Sequence, residues 1–88
     1  MEKLDTHKYG LTKRAKIYKT HNGEIAIVRD RKSRIIMKDG YKIMEVAKKI
    51  QVEEPNIKII FLSTAPMCSK TKAYLENKGI LTKRADVY

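Results

Sequence analysis

The sequence predicts a small single-domain α/β protein built on a mixed β-sheet. Three observations carry this. Apolar, β-branched runs at 24–28 and 57–63 have strand character, a run at 41–53 between them has the 3.6-residue period of an amphipathic helix, and a second helix-then-strand pair follows at 69–88. The expected order is (α)βββαβαβ, with helices packed on the sheet and each β-α-β unit making a right-handed crossover.

Taken in order, Leu4, Lys8 and Leu11 share one side of a short helix within residues 1–10. Residues 12–20 alternate, with Ala15, Ile17 and Lys19 on one face and Lys16, Tyr18 and Thr20 on the other, as a half-wet strand does. Asn22-Gly23 suits a type I′ turn, which joins residues 13–20 to 24–29 as a hairpin. A third strand is expected at 34–38, across a turn in which Arg29, Arg31, Lys32 and Arg34 surround Asp30. Ile43, Val46, Ala47 and Ile50 then mark one face of a helix over 41–53, with Asp39 or Gly40 as its cap. The apolar run 57–63 reads as a central strand covered on both faces. Ser69 is the expected N-cap of a helix running to Lys78 and closed by Gly79, before a final strand at 80–88.

Length and composition narrow the functional classes. A chain of 88 residues is one domain with a small core, and 42% hydrophobic with 34% charged residues describes a globular protein. No run reaches the roughly 18–20 apolar residues of a membrane span, and residues 1–10 lack a signal peptide's apolar stretch, so a cytoplasmic location is expected. Lys and Glu richness beside one Gln and three Asn leans toward a thermophilic source. One cysteine, Cys68, excludes an internal disulfide, and His7 and His21 add no zinc-ligand spacing, so no structural metal is expected. The net charge of +10 favours a polyanionic partner, nucleic acid first.

Leu11-Thr12-Lys13-Arg14-Ala15-Lys16-Ile17-Tyr18 returns as Leu81-Thr82-Lys83-Arg84-Ala85-Asp86-Val87-Tyr88, identical at six of eight positions. Two strands of similar role account for it. The alternative is a pair of equivalent edge strands, through which residues 11–18 or 81–88 form a homodimer. Tyr18 and Tyr88 hold matched places beside the Lys-Arg pairs, where cross-strand packing and base stacking are both open to them.

A hairpin, an added strand and a helix, with Gly23-Glu24-Ile25-Ala26 opening one strand and Ile36-Met37-Lys38 closing the next, resembles the restriction-endonuclease-like fold. In those nucleases an acid opens the second strand and an acid-x-Lys triplet closes the third, together holding Mg²⁺ and activating water. The resemblance implies Glu24 as the first acid and Lys38 as the lysine, but puts Ile36 in the second acidic place, where it can ligate nothing; Glu45, on the following helix, is the substitute acid. A second stretch, Pro66-Met67-Cys68-Ser69-Lys70-Thr71-Lys72, is similar to the catalytic segment of arsenate reductase-like thioredoxin folds. There the cysteine follows the first strand, whereas Cys68 comes late, and a buried inert thiol is the plainer reading. Ser69 to Thr71 with Lys70 also make a phosphate site or a simple helix cap.

The expected function is therefore nucleic-acid binding without catalysis, with Arg29, Arg31, Lys32 and Arg34 gripping phosphates beside Lys13, Arg14 and Lys70. Two alternatives stand beside it. One is a metal-dependent nuclease using Glu24, Lys38 and Glu45 with Mg²⁺; the other is a protein-interaction or assembly subunit.

Overall fold

The computed structural model describes residues 2–85. Its sheet has five strands in the order β1-β2-β3-β4-β5, where β1 is Glu2–Lys3, β2 Lys16–Lys19, β3 Ile25–Arg29, β4 Ile59–Ser63 and β5 Leu81–Arg84. The first three strands form an antiparallel meander, while β3, β4 and β5 run parallel through helices α1 (Met37–Glu53) and α2 (Ser69–Asn77). This is the mixed α/β sheet expected from the sequence.

The N-terminal ten residues hold β1 and a single 3₁₀ turn, Thr6–Tyr9, in place of the expected α-helix. Asp5 caps that turn by accepting from the His7 N–H at 3.0 Å, and Gly10, at φ 68°, stops it. The hairpin between β2 and β3 forms as expected, but its turn differs. Asn22 keeps negative φ and only Gly23 is left-handed, at φ 80°. The Gly23 N–H donates to the Thr20 carbonyl at 3.0 Å, and the Thr20 N–H to that of Glu24 at 2.9 Å. A three-residue loop with a glycine bulge results rather than a type I′ turn.

The strand expected at 34–38 is not formed. Ile35 makes one bridge to Met67, and α1 begins at Met37, four residues ahead of its expected start. The physical cause is Asp39: as the third residue of the helix it accepts from the Ile36 N–H at 2.9 Å, satisfying a donor left free at the helix start. Cys68, not Ser69, takes the N-cap of α2. Its C-terminus closes as expected at Gly79 (φ 86°), with Gly79 N–H to the Glu76 carbonyl at 3.0 Å and Ile80 N–H to that of Leu75 at 2.9 Å, a Schellman motif.

Consecutive crossovers in one direction put both helices on the same face of the sheet. Ile43, Met44, Ala47 and Ile50 of α1 and Leu75 of α2 pack there against Ile17, Ile25, Ile27, Ile59 and Phe61. The opposite face carries a separate cluster of Ala26, Ile60 and Leu62, with Val28 and Ala85 packed against it and no helix residue taking part. All of β4 is buried, yet helices cover it on one side only.

The repeated segments are not equivalent. Residues 16–19 form β2, which lies inside the sheet between β3 and, at Tyr18 and Lys19, β1; β5 begins at once at Leu81 and pairs only with β4 among the described residues. The end of β2 at Tyr18 and Lys19 is thus already paired on both sides, and residues 86–88 of the second copy, with Tyr88, lie outside the described part.

Candidate nucleic-acid interface

Strand direction decides where the charge goes. Because β2 runs antiparallel to β3, its start lies at the carboxyl end of β3, with Lys16 opposite Val28. Lys13, Arg14 and Lys16 thus come to the same end of the sheet as Arg29, the last residue of β3. The loop from β3 to α1 adds Arg31, Lys32 and Arg34, and the first turns of the two helices add Lys38, Lys70 and Lys72. The carboxyl ends of parallel strands are where open α/β sheets present their loops to ligands. Both helices point their N-termini toward this end, and their dipoles add to the positive potential.

The loops there are laced to one another. The Thr64 hydroxyl accepts the Arg31 N–H at 2.9 Å and lies 3.1 Å from Asp30. The Ile35 N–H donates to the Pro66 carbonyl and the Cys68 N–H to the Ile35 carbonyl, both at 2.9 Å. These bonds hold the β3–α1 loop against the β4–α2 loop, so their cations keep a common bearing.

Among the described residues most of these cations have no acidic partner. Arg31 is the exception: its guanidinium pairs with Asp39 and reaches the Ser33 hydroxyl at 3.0 Å. Among the described residues no ion pair takes up Lys13, Arg14, Lys16, Arg29, Lys32, Arg34 or Lys70. Burial raises the Asp39 carboxyl pKa, but the Ile36 N–H, the Arg31 hydrogen bond and charge, and Lys42 outweigh it and hold the group below its usual 3.8. The acids Glu24, Glu53, Glu54 and Glu76 sit at the other end, by the start of β3 and the last turns of the helices.

Cys68 lies beside this cluster, partly exposed. The Thr71 and Lys70 amides, then the Thr71 hydroxyl and the nearby Arg34 charge, hold its thiol below the ordinary 9.0.

The three residues that the nuclease resemblance nominates do not meet. Glu24 precedes β3, pairing with Lys58 at 3.5 Å and bonded to the Thr20 hydroxyl, whereas Lys38 is in the first turn of α1 beyond the opposite end of that strand. About 17 Å of strand separates those ends, at about 3.3 Å per residue. Glu45 is on the exposed side of α1 and lines a cavity with Arg14 and Arg29. Mg²⁺ needs oxygen ligands, and no group of three or more His, Cys, Asp and Glu is close enough to hold a metal among the described residues. These residues do not fit the ion.

No family profile and no curated protein matches the chain. Solved structures do. The EndoMS–dsDNA2 complex superposes with a TM-score of 0.70 at 15% identity, over 94% of this chain and 35% of that one. A repair endonuclease from Pyrococcus abyssi gives 0.64 at 13%, over 78% and 30%, and EndoMS in its apo form gives 0.64 at 14%, over 78% and 32%. The chain thus spans about a third of the length of these proteins, and what it shares with them is the fold, as the sequence resemblance to a nuclease fold implied.

Proposed function

We propose that this domain binds nucleic acid through the cationic end of its sheet and does not cut it. One observation carries the reading: three separate segments, residues 13–16, 29–38 and 70–72, converge on that end, and of the phosphate-gripping residues expected from the sequence only Arg31 is neutralised by an acid among the described residues. Unpaired, solvated Lys and Arg attract phosphates and release their counterions. The fold of DNA repair endonucleases is a scaffold already used against DNA, which supports the same partner.

Strand order supports the absence of cleavage. In the resembling nucleases the acid opens the second strand and the acid-x-Lys triplet closes the third. Counted along this sheet, the second strand opens at Lys16 and the third closes on Ile27-Val28-Arg29. Neither acidic place then carries a carboxylate: one falls on Lys16 and the other on Ile27, with Arg29 in the lysine's place.

Binding to a short DNA duplex, followed by anisotropy from low to moderate salt, tests the reading. Each neutralised phosphate adds about −0.9 to the log–log slope, so six unpaired grips (Lys13, Arg14, Arg29, Lys32, Arg34 and Lys70) give roughly −5. Replacing Lys32 and Arg34 by alanine should flatten the slope by about 2. A salt-independent curve, or a slope unmoved by the double substitution, overturns the proposal, and Mg²⁺-dependent cleavage of the duplex overturns its non-catalytic part.

A further inference from the structure

Between the segment before β2, the end of β3 and the outer side of α1 lies a cavity of about 230 Å³. Leu11, Ala15 and Val46 supply an apolar wall, and Arg14, Arg29 and Lys49 line it with positive charge around the single carboxylate of Glu45. Among the described residues Arg14, Arg29 and Glu45 are taken up by no ion pair. Among the described residues Lys49 reaches only the Gly10 carbonyl, at 3.5 Å.

We infer that this cavity is a metal-independent seat for one nucleotide unit, its phosphate on Arg14, Arg29 and Lys49 and its base against the apolar wall. The inference rests on the nucleic-acid reading and deepens it. Size limits the ligand: at about 230 Å³ the open cavity is smaller than the roughly 300–1,000 Å³ clefts that enclose drug-sized molecules, so it admits at most one unit, part of it left in solvent, and not a stretch of strand. Charge sets its phosphate, because a guanidinium fork matches phosphate oxygens in pairs. The donors also set the absence of a metal, since one carboxylate among three cations cannot compensate a divalent ion. Glu45, in no ion pair among the described residues, lines the same space and suits amino groups on a base edge.

The probes are adenosine 5′-monophosphate, adenosine and inorganic phosphate, each titrated in EDTA, with the methyl signals of Leu11 and Val46 followed by NMR. The monophosphate should move those signals and bind at least about tenfold more tightly than adenosine or phosphate, and Mg²⁺ should not improve it. Arg29→Gln should weaken the monophosphate about tenfold and leave adenosine unchanged. Arg14→Gln, at an exposed position where folding is not at stake, should act in the same direction. Unmoved Leu11 and Val46 signals with duplex DNA still bound overturn the seat while leaving the nucleic-acid reading intact. Equal affinities for monophosphate and phosphate, or indifference to both variants, overturn it as well. Loss of all binding, duplex included, removes both.

Discussion

On the proposed function Asp39 would compete with nucleic acid for Arg31, and Asp39→Asn should separate stability from binding. In the native protein the carboxylate pairs with Arg31 and accepts the Ile36 N–H at 2.9 Å. Asparagine keeps an acceptor for that amide and removes the attraction for the guanidinium. The Arg31 side chain is about a third exposed and that of Asp39 is 16% exposed, so solvent screens part of the pair. A charge-assisted hydrogen bond in that setting is worth about 1–2 kcal/mol. For a domain of this size that lowers Tm by very roughly 5–15 °C. On the same proposal, Arg31 freed from its counterion would add one phosphate contact, and the salt slope should steepen by about 0.9. Thermal denaturation and anisotropy on one preparation read both effects. The wild type carries the matching pH signature: the Asp39 carboxyl is lowered on folding, so its contribution is complete above the unfolded value near 3.8 and is lost as pH falls through the lower folded value. Asp39→Asn should abolish that acid-side loss. A variant that loses affinity in step with stability, or that matches wild type in both, refutes the reasoning.

Two further outcomes follow from the packing. The buried Tyr9 hydroxyl donates to Glu54, and burial, with that bond and the charges of Glu54 and Glu53, pushes its pKa from 10.0 up to about 12. Its contribution is complete below the unfolded value of 10.0 and lost as pH rises toward 12, so Tyr9→Phe should flatten the alkaline limb of a stability-against-pH profile; an unchanged limb counts against it. At the α1–α2 contact, a Cβ on Gly40 would lie 3.0 Å from the Thr71 methyl and 3.6 Å from the Tyr74 ring. Gly40→Ala gains about 1 kcal/mol of helix propensity and loses about 1–3 to crowding. In a Thr71→Ser background the crowding goes and the gain should emerge, a coupling of about 1–2 kcal/mol in a denaturant double-mutant cycle. The same cost for Gly40→Ala in both backgrounds would refute the contact.

Local pattern accounts for the elements that the sequence made legible. The run 57–63 and the helical period of Ile43, Val46, Ala47 and Ile50 stand out because burial on one face needs apolar residues at the element's own spacing. Gly79 ends α2 because its backbone must be left-handed there. Residues 34–38 misled for the same kind of reason. Ile35 and Ile36 have strand preference, but the cap supplied by Asp39 and the bonds of Ile35 to the β4–α2 loop, 31 residues on, decide the local conformation.

The sequence by itself determined the αβ class, the order of most elements and the excess of positive charge. Only the tertiary structure decided where that charge acts. Lys13 and Arg14 are about fifteen residues from Arg29 along the chain and Lys70 about forty, and no periodicity relates them. An antiparallel turn-back and two parallel crossovers bring them to one end of the sheet, and the same topology keeps Glu24 at the other. Charge composition is additive and can be read by counting. Electrostatic potential depends on distance, and in a folded chain distance is set by strand direction and pairing.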